Sequence, residues 1–133
     1  MPGDFWLLTV RSEFSAAHAL RNYCGKCENA HGHNFQVEAV FEGGKLRPDT
    51  EFLVDFSELK GDLNSVLDGL DHKDLNRTPP FDRLNPTSEN LARHIHSALA
   101  PLASEHGVRL RCVTVGENHA QSATYSLREE GTK

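Results

Sequence analysis

Phe35, Val37, Ala39 and Phe41 alternate with Gln36, Glu38, Val40 and Glu42, and Gly43-Gly44 closes the run. Successive side chains of a strand point to opposite faces, so this segment has one apolar face and one mixed face. Such a pattern predicts a half-buried strand, covered on one side only. Trp6, Leu8 and Val10 alternate with Leu7, Thr9 and Arg11 in the same way. Roughly the first dozen residues therefore read as a second strand of this kind.

Farther along, the spacing becomes helical. Phe56, Leu59, Leu63, Val66, Leu67 and Leu70 fall on one stripe, with Asp55 as N-cap and Glu58 placed for a capping box. Gly61 weakens this helix by about 1 kcal/mol relative to alanine. Pro79-Pro80 and Pro86 mark a loop, and Thr87 caps a second helix with Leu91, Ile95, Leu99 and Leu102 on its apolar side. Pro101 predicts an end or a bend there. Residues 108–115 read as a third strand, and Ala123, Tyr125 and Leu127 alternate as a fourth. The order strand, strand, helix, helix, strand, strand predicts an α+β domain. Its core is an antiparallel four-stranded sheet with two helices on one face. The outer edges of that sheet need protection, which pairing with another subunit would provide.

At 133 residues the chain reads as a single domain over 1–133, long enough to bury a core unaided. The formal net charge is -5 and no Lys/Arg-rich run occurs, which disfavours a nucleic-acid surface. No apolar run approaches transmembrane length, so no membrane partner is expected. The N-terminus lacks the basic and apolar regions of a signal peptide, and the three cysteines are an odd number. A cytoplasmic protein with reduced thiols is the expectation.

The chemistry concentrates in Cys27-Glu28-Asn29-Ala30-His31-Gly32-His33. At a strand start, His31 and His33 share a face, and Gly32 keeps the space between them free of a side chain. His18, at the end of the preceding strand, is a third imidazole. Three histidines fill three of the four positions zinc prefers and leave the fourth open. Imidazole also suits iron, nickel and copper. Cys27 sits in a polar loop, where a metal and imidazoles would stabilise its thiolate. It is a candidate fourth ligand or a candidate general base, and Cys24 rivals it for either role. Cys112, in an apolar strand, reads as core.

Asp71-His72 follows the first helix. Such a pair is ordinarily a solvated turn, but a carboxylate beside a histidine can also orient it for proton transfer. Glu117 ends the third strand. A glutamate there is ordinarily exposed, yet its carboxylate could accept two parallel N–H bonds from a guanidine-like edge, as in a pterin or guanine ring. His94, His96, His106 and His119 read as solvated. Arg11, Lys26 and Arg77 are unranked candidates for gripping a phosphorylated group.

Taken in order, Phe14-Ser-Ala-Ala-His18, Cys27-x-x-x-His31-Gly-His33-Asn34, Val54-Asp55-Phe56 with Leu59-Lys60, Leu70-Asp71-His72 with Leu75-Asn76, Pro86-Thr87-Ser88-Glu89-Asn90 and Gly116-Glu117 form a set. That set resembles the 6-pyruvoyl-tetrahydropterin synthase / 6-carboxytetrahydropterin synthase family over nearly the whole chain. The resemblance implies a tunnelling fold (T-fold), in which three subunits close a β-barrel and two trimers stack into a homohexamer. It implies 7,8-dihydroneopterin triphosphate as substrate, and zinc held by His18, His31 and His33. It makes Cys27 the general base and Asp71 with His72 the proton relay. Glu117 would anchor the pterin ring, with Thr87 and Ser88 lining its pocket.

The spacing of Cys27 before His-Gly-His resembles the bacterial 6-carboxy-5,6,7,8-tetrahydropterin synthases of queuosine biosynthesis. Their reaction releases acetaldehyde and triphosphate. The pyruvoyl synthases, which place the cysteine farther upstream, are the alternative within the family. Asn118 departs from the threonine often found after the anchoring glutamate. A non-catalytic zinc-binding module, with a closed four-ligand site completed by Cys27 or Cys24, is the alternative from another class.

Overall fold

The computed structural model describes residues 3–23 and 29–128. The chain runs β1 (Trp6–His18), β2 (His31–Gly43), α1 (Phe56–Leu67), β3 (Lys73–Asp74), α2 (Ser88–Glu105), β4 (Arg109–Gly116) and β5 (Ala123–Tyr125). A 3-10 turn, Leu75–Arg77, follows β3. The sheet order is β3-β1-β2-β4-β5. The α+β architecture matches the expectation, with one correction. The sheet has five strands, and β3 pairs in parallel with Ala16 and Ala17 of β1. Two residues are too few to display a period, so β3 had no signature in the sequence.

One face of the sheet carries the core. Val10, Phe14, Phe35, Val37, Phe41 and Val113 are buried, and they meet Leu59, Leu63 and Leu67 of α1 and Leu91, Ile95 and Leu99 of α2. Phe14 and Phe35 face each other across β1 and β2 and stack at 4.9 Å. The other face is polar. Arg11 pairs with Glu38 at 2.7 Å, and Ser15 Oγ donates to Asn34 Oδ1 at 2.5 Å. A shift in register at Val40/Phe41 precedes Glu42, which is buried and accepts from Arg109 and, at 3.1 Å, from Arg111.

Several local expectations change. Asp55 does cap α1, but it accepts from Ser57 N at 2.9 Å, and Glu58 turns to Arg47 at 3.0 Å instead of closing a capping box. Phe56 is exposed. Pro101 lies inside α2, which continues to Glu105. The lost backbone bond is offset by burial of Leu99 and Ala103 on the same stripe. Strand β5 stops at Tyr125, and Leu127 is exposed.

Two of the histidines expected in solvent are packed instead. His96 is buried against Tyr125, with ring centroids 5.0 Å apart, and His94 is half-buried against Phe81 at 5.2 Å. His106 bonds to Asp62 at 2.8 Å and so ties the end of α2 to α1. Only His119 of the four is exposed.

Burial pushes the His94 imidazole below its ordinary value of 6.5. Burial does the same to His96, opposed by its backbone bond at Leu110 and aided by the nearby Arg109 charge. The folded chain therefore resists protonating both. Their contribution to stability is complete above about pH 6.5 and is lost as the pH falls through that value toward their folded pKa values. The denaturation midpoint should drop between about pH 7.5 and about pH 5. His96→Phe, which keeps the ring contact and removes the titrating group, should flatten that dependence. An identical pH slope in the variant would show that His96 does not contribute.

Candidate metal centre and adjoining cleft

The pairing of β1 with β2 builds the centre directly. His18, the last residue of β1, lies opposite His31, the first of β2, and His33 follows on the same face. The ring centroids are 4.6 Å apart for His18–His31, 4.6 Å for His31–His33 and 5.3 Å for His18–His33. One nitrogen from each ring falls within 4.8 Å of the others. Phe35 lies beneath, edge-on to His18 at 5.1 Å and to His33 at 5.8 Å.

The carbonyl neighbours decide the tautomers. His18 Nδ1 lies 2.8 Å from the Pro86 carbonyl, and His31 Nδ1 lies 2.7 Å from that of Asn29. A carbonyl only accepts, so each Nδ1 is the donor, and in the neutral ring Nε2 is then the lone-pair nitrogen. This is the usual arrangement behind a metal-ligating histidine. His18 Nε2 and His33 Nε2 are buried and make no hydrogen bond. The nearest group to both is the Glu117 carboxylate, 3.2 Å from His18 and 3.3 Å from His33.

Burial lowers the His18 pKa; the Pro86 bond and Glu117 oppose the shift, while His31 and His33 add to it. A neutral His18 then presents a lone pair to a carboxylate. Two acceptors facing each other in a buried site repel unless a cation lies between them. The donor set, its tautomers and this unmet charge all fit a bound zinc ion.

Gly32 does not hold the space between the imidazoles. It points to the opposite face, and a Cβ there would meet nothing within 4 Å. Gly116 is the glycine that matters here. A Cβ on it would stand 2.8 Å from the Gln121 carbonyl, so its absence lets the loop after β4 fold back beside Glu117.

Glu117 also borders a cleft of about 360 Å³ lined by Leu20, Tyr23, Ser88, Glu89, Gln121, Ser122 and Ala123. Ser88 is thus beside Glu117. Thr87 lies outside this lining, and its hydroxyl caps α2 by accepting from Asn90 N at 3.1 Å. Tyr23, Glu89 and Gln121 escaped the sequence reading because loop and first-turn residues carry no periodic signal. Glu117 is only partly exposed, turned toward the histidines instead of outward.

Asp71 and His72 are placed elsewhere. Asp71 Oδ1 accepts from Ser15 N at 2.9 Å, while His72 Nε2 is 3.6 Å from Asp71 Oδ2, beyond hydrogen-bond length. His72 has a left-handed backbone, φ 57°, and its side chain is 82% exposed. It borders an open cleft of about 560 Å³ that Ala16 and His33 also edge, with Ser15, Ala17, Gly32 and Asn34 among the lining. These four alternate with the three histidines along β1 and β2, so they belong to the opposite face of the sheet. Among the described residues of one chain, His72 makes no ion pair or hydrogen bond with the imidazoles, although His33 edges the same cleft.

Cys24, Cys27 and Lys26 lie outside the described residues. Cys112 is half-buried, and burial raises its thiol pKa, which suits an inert packing role. Of the basic candidates, Arg11 is engaged by Glu38 and Arg77 stands 3.6 Å from Asp74. Asn118 Oδ1 accepts from Ala120 N at 2.8 Å, a turn contact within the loop after Glu117.

Comparison with known proteins agrees with this architecture. A provisionally named 6-carboxy-5,6,7,8-tetrahydropterin synthase of Archaeoglobus fulgidus is 38% identical over 112 residues, covering 84% of this chain and 88% of that protein. A dihydroneopterin monophosphate aldolase of Pyrococcus furiosus is 38% identical over 85 residues, covering 64% of this chain and 67% of that protein. The solved structure of Caenorhabditis elegans 6-pyruvoyl tetrahydropterin synthase superposes with a TM-score of 0.81 at 28% identity. It covers 93% of this chain and 96% of that one. The fold shared with that structure is the T-fold. The profile of the 6-pyruvoyl tetrahydropterin synthase family matches residues 7–128, from the start of β1 to beyond β5, and the chain belongs to that family.

Proposed function

We propose that this chain is a zinc enzyme. It takes 7,8-dihydroneopterin triphosphate and water to 6-carboxy-5,6,7,8-tetrahydropterin, acetaldehyde and triphosphate, in the cytoplasm and in the service of queuosine synthesis. The observation that carries the zinc reading is the pair of buried, unbonded Nε2 atoms facing the Glu117 carboxylate. The carboxy product is favoured by the Cys27-x-x-x-His31 spacing and by the Archaeoglobus relative's name.

His18, His31 and His33 would hold the ion, which supplies Lewis acidity toward the substrate's side-chain oxygens. The rest falls to this chain's own groups. Glu117 adjoins both the histidines and the cleft; with the ion held by the three imidazoles, its carboxylate would turn to the cleft and accept two parallel N–H bonds from the pterin edge. Ser88, Glu89 and Gln121 surround the same volume and would orient the ring. Cys27 is assigned the removal of a proton from the activated carbon, and His72, beside Asp71, the opposing proton transfers.

His72 needs a second copy of the chain to reach the histidines. The short edge strands β3 and β5 are the places where copies would join, and the family assembly of two stacked trimers supplies such neighbours.

The metal site should bind one zinc per chain, measured by elemental analysis. His31→Ala should abolish binding, whereas Cys27→Ala should keep the ion and lose turnover. Loss of zinc from Cys27→Ala would make the thiol a ligand and favour a closed structural site.

Product identification with dihydroneopterin triphosphate tests the reaction. Acetaldehyde with the carboxy product is expected, and a pyruvoyl product without acetaldehyde would overturn it. Mixed assemblies of Cys27→Ala and His72→Ala, each inactive alone, should regain about a quarter of wild-type activity if thiol and imidazole come from different copies. No recovery in assemblies shown to be mixed would place both groups in one chain's site.

A further inference from the structure

Two carboxamides hold the stretch of chain that links the metal centre to the cleft. Beyond His18, Ala19 donates its N–H to Asn76 Oδ1 at 2.8 Å and accepts from Asn76 Nδ2 at 2.9 Å. Two residues on, Arg21 N donates to Asn85 Oδ1 at 2.8 Å and Arg21 O accepts from Asn85 Nδ2 at 2.8 Å. Each side chain therefore satisfies both backbone groups of one residue, as a neighbouring strand would. Every second residue of this edge is held: Ala17 pairs with Asp74 in β3, Ala19 meets Asn76, and Arg21 meets Asn85 from the loop before α2. The sheet edge begun by β3 is prolonged by amides where the backbone has already turned away into the 3-10 turn.

The surroundings fix these amides in turn. Asn85 O accepts from Asn90 Nδ2 at 2.9 Å. The Arg21 guanidinium reaches the carbonyls of Leu84 at 3.0 Å and Phe81 at 2.6 Å. Asn22 follows with φ 62°, a left-handed conformation that asparagine tolerates, and ends the held stretch. His18 stands directly before it, and Leu20 and Tyr23 on either side of Arg21 line the cleft that Glu117 shares.

We propose that Asn76 and Asn85 are positioning residues. Asn76 holds the main chain beside the metal ligand His18, and Asn85 holds the Leu20 and Tyr23 wall of the substrate cleft. Neither is a catalytic residue, since both bond to main chain alone here. The Asn85 half rests on the pterin reading above, whereas the Asn76 half needs only the histidine cluster.

The test uses the full chain in its native assembly, with Asn76→Ala, Asn85→Ala, Asn76→Asp and Asn85→Asp. Zinc affinity is read by competition with a chromophoric chelator. Ring binding is read by titration with dihydroneopterin and by steady-state kinetics. Asn76→Ala should weaken zinc about tenfold, as loss of groups behind a ligand does. Asn85→Ala should leave zinc affinity within about twofold and raise KM and the dihydroneopterin Kd about fivefold, with kcat within about threefold.

Aspartate keeps the acceptor but sets a second acceptor against the Ala19 or Arg21 carbonyl, so it should give the same split, and it decides the matter where an alanine variant does not fold. Unchanged zinc affinity in folded Asn76 variants overturns the first half. Unchanged KM and Kd in folded Asn85 variants overturn the second. Parallel losses of melting temperature, zinc and kcat in all four would mark a general scaffold and overturn both. A wild-type chain that binds zinc but turns over no pterin would sink the proposed function, while the zinc comparison would still judge Asn76.

Discussion

The antiparallel pairing of β1 with β2 is the constraint on which the rest depends. It runs unbroken from Trp6 opposite Gly43 to His18 opposite His31. A slip of one residue would move every side chain of one strand to the other face. Such a slip would expose Phe14 or Phe35, both fully buried and stacked on each other. Packing in the core therefore sets the register, and the register brings the imidazoles together. The metal centre lies at the end of the same ladder, with Phe35 serving both as core residue and as floor beneath His18 and His33.

The electrostatics of this centre differ from those of an ordinary buried polar cluster. Most buried polar groups find a partner within the protein. Here two carbonyls take up the Nδ1 protons and point the remaining lone pairs inward. A carboxylate then closes the space, adding a third acceptor group where a donor would have been stabilising. The arrangement is unfavourable by itself and favourable around a positive ion. His96 Nε2 is also buried without a hydrogen bond, so what sets this centre apart is the carboxylate facing His18 and His33.

The periodic parts of this fold were legible because burial imposes a period. The alternation at 35–42 and the stripe through Leu59 and Leu63 follow from one covered face, and both elements stand where they were expected. His31 and His33 were readable as neighbours for the same reason. Elements fixed by polar contacts with distant residues were not. Glu58 had the position for a capping box, but Arg47 offered it an ion pair. His96 stands on the helix face that meets β5, so its burial depends on Tyr125, far along the chain. The orientation of Glu117 depends on Gly116 and the returning loop, and no pattern of residue types encodes it.

Asp71 and His72 show how a motif can be intact in sequence and divided in space. The backbone at this pair is bound to Ser15, which fixes it to the edge of β1. His72 follows in a left-handed conformation, its side chain 82% exposed and 3.6 Å from Asp71. Left-handed residues other than glycine are uncommon, and histidine is among the types enriched there. An exposed imidazole on a backbone tied to Ser15 has the geometry of a group offered to another copy. On the reading proposed here, the open sheet edges and the displaced histidine are two aspects of one requirement: the site is completed by assembly.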